Sequence, residues 1–532
     1  MPISRKGSNF DVVLLSAEYW DDHPLSPVGM IARVLDAKGF SVGVIEKPVA
    51  DDDFTRTGAP RLFFGVTSGS IDSMLNNYTP LKRPRSEDKH ADWNPMPDRA
   101  LIVYSNALRR LFKGCKIVIG GIEASLRRFA HYDYWDNAVR RSILFDTRAD
   151  ILVYGNGERQ AIEMAERLRD GKKAEGIPGT CIISNELPEG FESLPPFEAV
   201  KKDKAKFCEM QMAFSNSKNL AQESNGRFLL QHAYPEYTTA DLDWLYGLPF
   251  SRKLHPKSQL GMAQFSVVTH RGCIGECSFC SLALHQGSKI ISRSEENIIQ
   301  EIERLAKHPQ FKGYIDDLGG PSANMYGMDC ADRCADRCLE CGKLDRSHSR
   351  LIALMRKARA VRGVKKVFVR SGVRYDLALG SREYIAELSK HHVSGCLKVA
   401  PEHFSTKVLG LMNKDGSRFD EFVEVFGELN KGSGQSPRHY LMLGHPGEDE
   451  GTLSALLRKA ERIGNVEQFQ LFTPTPMTLS TCMYWTSMDP RTMKKVKVIY
   501  DYKTKKMMKA AMTNAIAKGR GMGRDILSHD GQ

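Results

Sequence analysis

Two series of short apolar runs, each run followed by a helical stretch, dominate this chain and restrict it to a parallel α/β architecture. In the first two hundred residues the runs are residues 11–16 (DVVLLS), 41–45 (SVGVI), 62–67 (LFFGVT), 116–120 (KIVIG) and 150–154 (DILVY). They are strand-length, rich in β-branched residues and bounded by turn formers, as buried strands are. Helical patterns at residues 28–38 and 159–169 separate them. Strands that alternate with helices pair in parallel under helices on both faces, so the spacing predicts a doubly wound, Rossmann-like domain over residues 1–225.

The second series comprises residues 264–269, 313–318, 366–371, 395–400, 439–443 and 468–472, with helical patterns at 295–307 and 381–391. Six strands predict a partial (β/α)6 relative of the TIM barrel over residues 263–480. The aromatic and proline-rich stretch HAYPEYTTADLDWLYGLPF lies between the two series and predicts a linker, residues 226–262, that packs onto the barrel. Residues 481–532 read as a basic helical extension. A chain of 532 residues is long enough for two or three cores, and no solenoid period is present.

No apolar run reaches the roughly 18 residues that a membrane span needs, and the N-terminal pattern is not secretory, so a cytoplasmic protein is expected. Thiols stay reduced there, which favours metal or catalytic roles for clustered cysteines. Seven of the twelve cysteines fall between residues 273 and 341, whereas Cys115, Cys181, Cys208, Cys396 and Cys482 stand alone and read as packed thiols. The net charge of +12 suits an anionic partner such as nucleic acid. Its densest expression, residues 491–509 (RTMKKVKVIYDYKTKKMMK), predicts an amphipathic helix that either faces phosphate or covers the barrel with a solvated lysine face.

The first strand of the second series ends in THRGCIGECSFC, which spaces Cys273, Cys277 and Cys280 by three and then two residues. Three close thiolates on one loop suit three irons of a [4Fe-4S] cluster and leave the fourth iron open. The zinc alternative needs a fourth ligand, for which His270 and His285 are the candidates. The motif resembles the CxxxCxxC signature of the radical SAM superfamily, including the aromatic Phe279 before the third cysteine. That resemblance implies that S-adenosylmethionine (SAM) chelates the open iron and is cleaved reductively to a 5′-deoxyadenosyl radical, with electrons from a donor such as flavodoxin or ferredoxin. It implies that Phe279 lies near the adenine and that Gly319 and Gly320 form the glycine segment after the second strand. Pro321 stands where the superfamily usually carries an acidic residue.

Strands three to six end in RSGVRYD, KVAPEH, LGHPGED and LFTPTP, which put Arg370, Ser371, Arg374, Lys398, Glu402, His403 and His445 at the catalytic rim. Ser371 and Arg374 are candidate cofactor contacts, and Lys398 and His403 candidate catalytic groups. A second group, Cys330, Cys334, Cys338 and Cys341, falls in an insertion near residues 328–345. Four-residue steps predict the first three near one helical face, as ligands of a second iron-sulfur cluster or a zinc ion.

Over most of its length the chain resembles the YgiQ-type (UPF0313-like) radical SAM proteins. The resemblance rests on GGIEASLRRFAHYDYWDNAVRRSILFD, DILVYGNGE, YGLPF, THRGCIGECSFC and DLGGPSANMYG. It implies an N-terminal domain similar in fold to cobalamin-binding domains. Cobalamin itself is the lesser expectation, because the DxHxxG motif that supplies an axial histidine is not met: Asp21-Asp22-His23 is followed by Ser26, with Gly29 later. Two functions compete: a radical SAM enzyme acting on RNA or a small metabolite, and a noncatalytic iron-sulfur or zinc protein that binds nucleic acid through its basic C-terminus. Substrate specificity lies in loop shapes, which one sequence does not expose.

Overall fold

The computed structural model describes residues 3–85, 95–258, 260–330, 332, 338–433 and 435–529, with residues 262 and 520–529 as backbone only. The N-terminal part is built on one ten-stranded sheet. Its first six members, in spatial order, are Ile3–Ser4, Val42–Glu46, Val12–Ser16, Phe63–Thr67, Ile117–Gly120 and Ile151–Val153, all parallel. Val12–Ser16 is buried along its whole length, as the apolar run DVVLLS requires of a strand covered on both faces. The strand order reverses beside it, because the chain goes first to Val42–Glu46 on one side and then to Phe63–Thr67 on the other. Ligands of open α/β sheets bind at the carboxyl ends of strands at such a reversal.

The sheet departs from the purely parallel expectation at its far edge. Thr180–Ser184 pairs antiparallel with Ile151–Val153, and Arg227–Gln231 and Leu220–Ser224 continue antiparallel before Glu192–Leu194 closes the edge in parallel. Arg227–Gln231, assigned to the linker on sequence, is therefore a strand of the first sheet. Hairpin geometry explains the difference: Asn225 and Gly226 both take positive φ, the conformation of a tight turn between antiparallel strands. The helix Thr239–Gly247 is held by a capping box between Thr238 and Asp241, and buries Leu242, Leu245 and Tyr246.

The second part contains six parallel strands that follow one another in chain order. Val267–Val268 pairs with Leu318–Gly319, and Tyr314–Ile315, at the start of the same second strand, pairs with Lys366–Val367. A parallel bridge from Val373 to Val399 leads to the sheet Cys396–Glu402, Ser436–Leu443 and Val466–Leu471. Helices Glu295–Ala306, Ser349–Ala360, Arg382–His391, Phe419–Leu429 and Glu450–Ile463 lie between the strands. The largest apolar cluster crosses from the first part into the second, joining Phe129 and Tyr132 to Phe472, Met477 and Cys482.

The predicted helix over residues 491–509 is corrected in its first half. Residues 491–501 are not helical; a helix begins at Tyr502 and runs to His529. Its Met508, Met512 and Ile516 pack with Leu456 and Ala460 of Glu450–Ile463, so it covers the barrel. The two helices approach closely at Gly519, where a side-chain carbon would lie 2.5 Å from the Glu461 carbonyl oxygen. Among the described residues no helix is long and apolar enough to cross a membrane.

Candidate functional site

The cysteine loop leaves the first barrel strand through a turn that only glycine permits. Gly272 has a φ of +86° and a Cβ there would lie 1.8 Å from the Lys289 carbonyl oxygen. The Cys273 N–H then bonds Gly287 O at 3.1 Å, the Cys280 N–H bonds Cys277 O at 2.9 Å, and the Leu282 N–H points at Cys280 Sγ at 3.5 Å. All three cysteines are half-buried and free. Burial pushes the Cys280 thiol up to about 12, with repulsion from the Cys277 and Cys273 sulfurs adding to it. Burial likewise raises Cys273, and Arg374 and Lys414 oppose the shift.

Arg374 is the cation of this site. Its Nη1 lies 3.8 Å from Cys277 Sγ, and a side chain at Gly275 would collide with the same nitrogen. Burial opposes its charge, but Asp376, at 2.5 Å, and the two nearby sulfurs raise its pKa and hold it protonated. The donor set is thus three sulfurs of one loop beside a fixed positive charge, which suits an anionic thiolate-ligated cluster. Neither candidate for a fourth zinc ligand turns to the thiols. His285 Nδ1 shares a hydrogen bond with Ser125 Oγ at 3.0 Å, and His270 Nδ1 with Thr269 Oγ1 at 2.9 Å.

The glycine segment lies beside the loop. Thr269 N–H bonds Gly319 O at 2.8 Å, and Gly320 packs so closely on the His270 ring that a Cβ would lie 2.5 Å from it. Ser371 sits against Gly319, its hydroxyl bonded to Asp317, whose other oxygen accepts the Arg370 and Ser371 N–H groups at 2.7 and 3.1 Å. Gly319, Gly320 and Ser371 share one wall of a cavity of about 500 Å³ between the two parts of the molecule. The opposite wall is the carboxyl edge of the first sheet, with Thr67, Gly69, Gly121 and Gly155. From there the cavity runs under the sheet between Gly65, Val118 and Val153 and the helices Pro27–Ala37 and Glu158–Arg169, against Met30, Ile31, Ala161 and Met164.

Arg271 and Glu158 tie the two walls together at 2.7 Å, both side chains under a tenth exposed. Burial would raise the Glu158 carboxyl, but Arg271 and the Tyr237 hydroxyl hold it below its ordinary value. Nothing in the spacing of the chain marks this pair, whose members lie 113 residues apart. His23 serves a similar seam: its ring accepts the Leu25 N–H at 3.1 Å and meets Gln264 O at 2.9 Å, beside Arg252.

The other candidates scatter. Phe279 meets the edge of His445, 6.4 Å between centroids, and His445 Nε2 bonds Ser480 Oγ at 2.7 Å. His403 is fully buried with its Nε2 3.3 Å from Glu448. Lys398 is exposed on the strand face opposite Leu397 and Val399, which pack under the helices, and lies in register with Arg438. Among the described residues Glu402 has Lys414 as its one ionic neighbour, at 3.9 Å, and burial raises its carboxyl. In the insertion, Cys330 lies in no helix and Cys338 begins a single 3-10 turn, Cys338–Glu340, so the helical face predicted there is not formed by them; Cys334 lies outside the described residues. Cys338 nevertheless packs on the same small apolar cluster as Cys273.

The chain matches the family described as Radical SAM N-terminal over residues 3–269, the Radical SAM superfamily over 267–460, and a domain of unknown function over 467–531. Among solved structures it is similar to the radical SAM methyltransferase TsrM from Kitasatospora setae, with cobalamin and a [4Fe-4S] cluster bound, at a TM-score of 0.50 and 17% identity over 89% of this chain and 78% of that one. The cobalamin-dependent SAM radical enzyme OxsB gives a TM-score of 0.52 at 11% identity, over 89% of this chain and 55% of that one. Both are likenesses of fold. The UPF0313 proteins of Methanosarcina acetivorans and Fusobacterium nucleatum are each 41% identical, covering 96% and 95% of this chain and 77% and 96% of their own lengths. A relative in Methanocaldococcus jannaschii is 43% identical over 94% of this chain and 89% of its own. Identity of that order across both parts, with the radical SAM domain at the cysteine loop, means that the chain belongs to the UPF0313 family of radical SAM enzymes.

Proposed function

We propose that Cys273, Cys277 and Cys280 hold a [4Fe-4S] cluster and that SAM is cleaved at the mouth of the cavity between the two parts. The observation that carries this reading is three free cysteines on one loop, with Cys277 Sγ 3.8 Å from the fixed charge of Arg374. When bound, the cluster supplies one electron to SAM, whose carbon–sulfur bond then breaks. The protein's own work is placement. Gly319 and Gly320 let the backbone come close to a ligand, Asp317 fixes Ser371 on the same wall, and Arg374 balances thiolate charge. Phe279 offers an aromatic face at the loop, and Lys398 and His403 remain the candidates for contact with a substrate. A flavodoxin or ferredoxin is the expected electron source. Cys330, Cys334, Cys338 and Cys341 are proposed as a second metal site beside the first.

Anaerobic reconstitution with iron and sulfide, followed by SAM and dithionite, tests the reading. Formation of 5′-deoxyadenosine that vanishes in a Cys273→Ala, Cys277→Ala, Cys280→Ala protein supports it. A fully loaded cluster that yields no product and whose spectrum SAM does not move would overturn it.

The depth of the cavity beneath the first sheet favours one addition, a bound corrinoid, as TsrM and OxsB carry. His23 does not supply an axial ligand, because its ring is engaged by Leu25, Gln264 and Arg252. Incubation with hydroxocobalamin and desalting gives a retained chromophore if the cavity accepts it, and a colourless protein if it does not.

A further inference from the structure

A second cavity, of about 490 Å³, lies at the seam between the N-terminal part and the C-terminal segment, and its lining differs from that of the first. The hairpin His131–Asp133 and Ala138–Arg140 contributes Tyr132 and Tyr134; the helix Leu479–Thr486 contributes Tyr484 and Trp485; and Tyr500 and Tyr502 stand at the mouth, 46% and 40% exposed. Trp485 stacks on Tyr132 with ring centroids 4.8 Å apart. Its indole N–H is buried and has no acceptor among the described residues.

Three lysines enter this aromatic shell. Lys82 Nζ lies 4.8 Å from the Tyr134 ring and Lys204 Nζ 5.2 Å from the Trp485 ring. Lys505 is only 2% exposed, with Nζ 5.1 Å from the Tyr484 ring and 3.1 Å from its hydroxyl. Among the described residues no carboxylate forms an ion pair with any of the three. The nearest acidic group to Lys505, Asp501, is occupied by the Thr504 N–H and hydroxyl at 2.6 and 2.7 Å. Burial, and then Lys82, pull the Lys505 ammonium down to about 8. A buried ammonium without a counter-ion is costly to keep, and aromatic faces offset only part of that cost. An anion in the cavity would supply the missing charge.

A ligand that satisfies both walls needs a flat ring system to stack and a phosphate to pair with lysine. Stacking platforms joined to a cationic groove are how proteins hold unstacked nucleotides. We propose that this cavity binds a nucleotide, its base on the aromatic wall and its phosphate between Lys82 and Lys204, with the buried charge of Lys505 behind the Tyr484 ring. Exposed Lys494, Lys495 and Lys497 immediately precede Tyr500 and continue the positive charge away from the mouth, which suits a nucleotide within a single RNA strand. The helix that carries Trp485 also touches the cysteine loop. Trp485 lies five residues along its helix from Ser480, whose N–H bonds Ser278 O at 2.9 Å, about 7.5 Å of helix axis.

Binding is measured on the full chain without SAM or reductant, so its result is independent of the radical chemistry. The probes are AMP, a short fluorescein-labelled single-stranded RNA and the same RNA as a duplex. Single-stranded RNA is expected to bind, and the Tyr500→Ala, Tyr502→Ala double variant to weaken it about tenfold or more. Lys204→Glu, a change at an exposed position, should weaken it similarly and reduce its salt dependence. Lys113→Glu, in the turn after Ala100–Leu111, should leave it unchanged, which separates this site from general surface charge. AMP bound with the same variant losses identifies the free nucleotide as sufficient; RNA bound without AMP identifies the strand. No binding of either, equal binding of the duplex, or binding that both site variants leave intact would overturn the proposal.

Discussion

The two cavities are nearly equal in volume, about 500 and 490 Å³, and opposite in chemistry. The first is walled by glycine turns and apolar strands, and its charged groups are already engaged, Arg271 with Glu158 and Asp317 with the Arg370 and Ser371 donors. The second is walled by aromatic rings and carries ammonium groups that pair with no carboxylate among the described residues. Volume alone therefore says little about either. The difference lies in what remains unsatisfied: room for backbone approach in the first, positive charge and ring faces in the second.

The thiols distinguish the two cavities most strongly. Replacing Cys273, Cys277 and Cys280 by alanine is expected to reduce 5′-deoxyadenosine formation to background while RNA affinity stays unchanged; a parallel loss of RNA binding would mean that the cavities are not separate. Next in size is Arg271→Ala, which strands the Glu158 carboxylate in the interior and should cost about 3–5 kcal/mol in urea unfolding. Glu158 titrates below its ordinary value when folded, so what it contributes is present above pH 4.5 and lost as the pH falls further.

Gly320→Ala should cost about 1–3 kcal/mol, because the added carbon meets the His270 ring. It should also weaken the effect of SAM on the electron paramagnetic resonance spectrum of the reduced cluster. At the seam, burial and then Arg252 push the His23 imidazole down to about 3 from 6.5. The unfolded chain gains this proton first, so stability is full above pH 6.5 and declines below it by about 1.4 kcal/mol per pH unit until pH 3. His23→Gln should flatten that decline in urea midpoints measured against pH. The smallest effect belongs to Tyr500→Ala with Tyr502→Ala, expected to change stability by about 0.5 kcal/mol and SAM cleavage not at all, since both rings stand half exposed at the surface.

Much of the scaffold was legible because it depends on local pattern. The runs DVVLLS and LFFGVT have the length and branching of strands buried on both faces, and they became adjacent members of one sheet. The cysteine spacing in CIGECSFC and the glycines of DLGGPS were legible for the same reason: neighbouring residues define them. Less visible were features that depend on who faces whom. Arg227–Gln231 looked like linker because its hairpin with Leu220–Ser224 is short and polar, and what buries it is the strand Thr180–Ser184, far back in the chain. Residues 491–501 carried a helical charge pattern, yet they are drawn off as an extended strap with Tyr500 bonded through its hydroxyl to the Tyr484 carbonyl at 2.6 Å.

The two α/β parts, the family and the cysteine loop follow from the sequence, since each is written in contiguous residues whose spacing sets their chemistry. Only the folded chain brings Arg374 to Cys277, Arg271 to Glu158, and Tyr132, Trp485 and Lys204 around one cavity. These groups are separated by tens to hundreds of residues. What brings them together is the burial of apolar faces shared by both parts, and that selects partners by shape rather than by position in the chain.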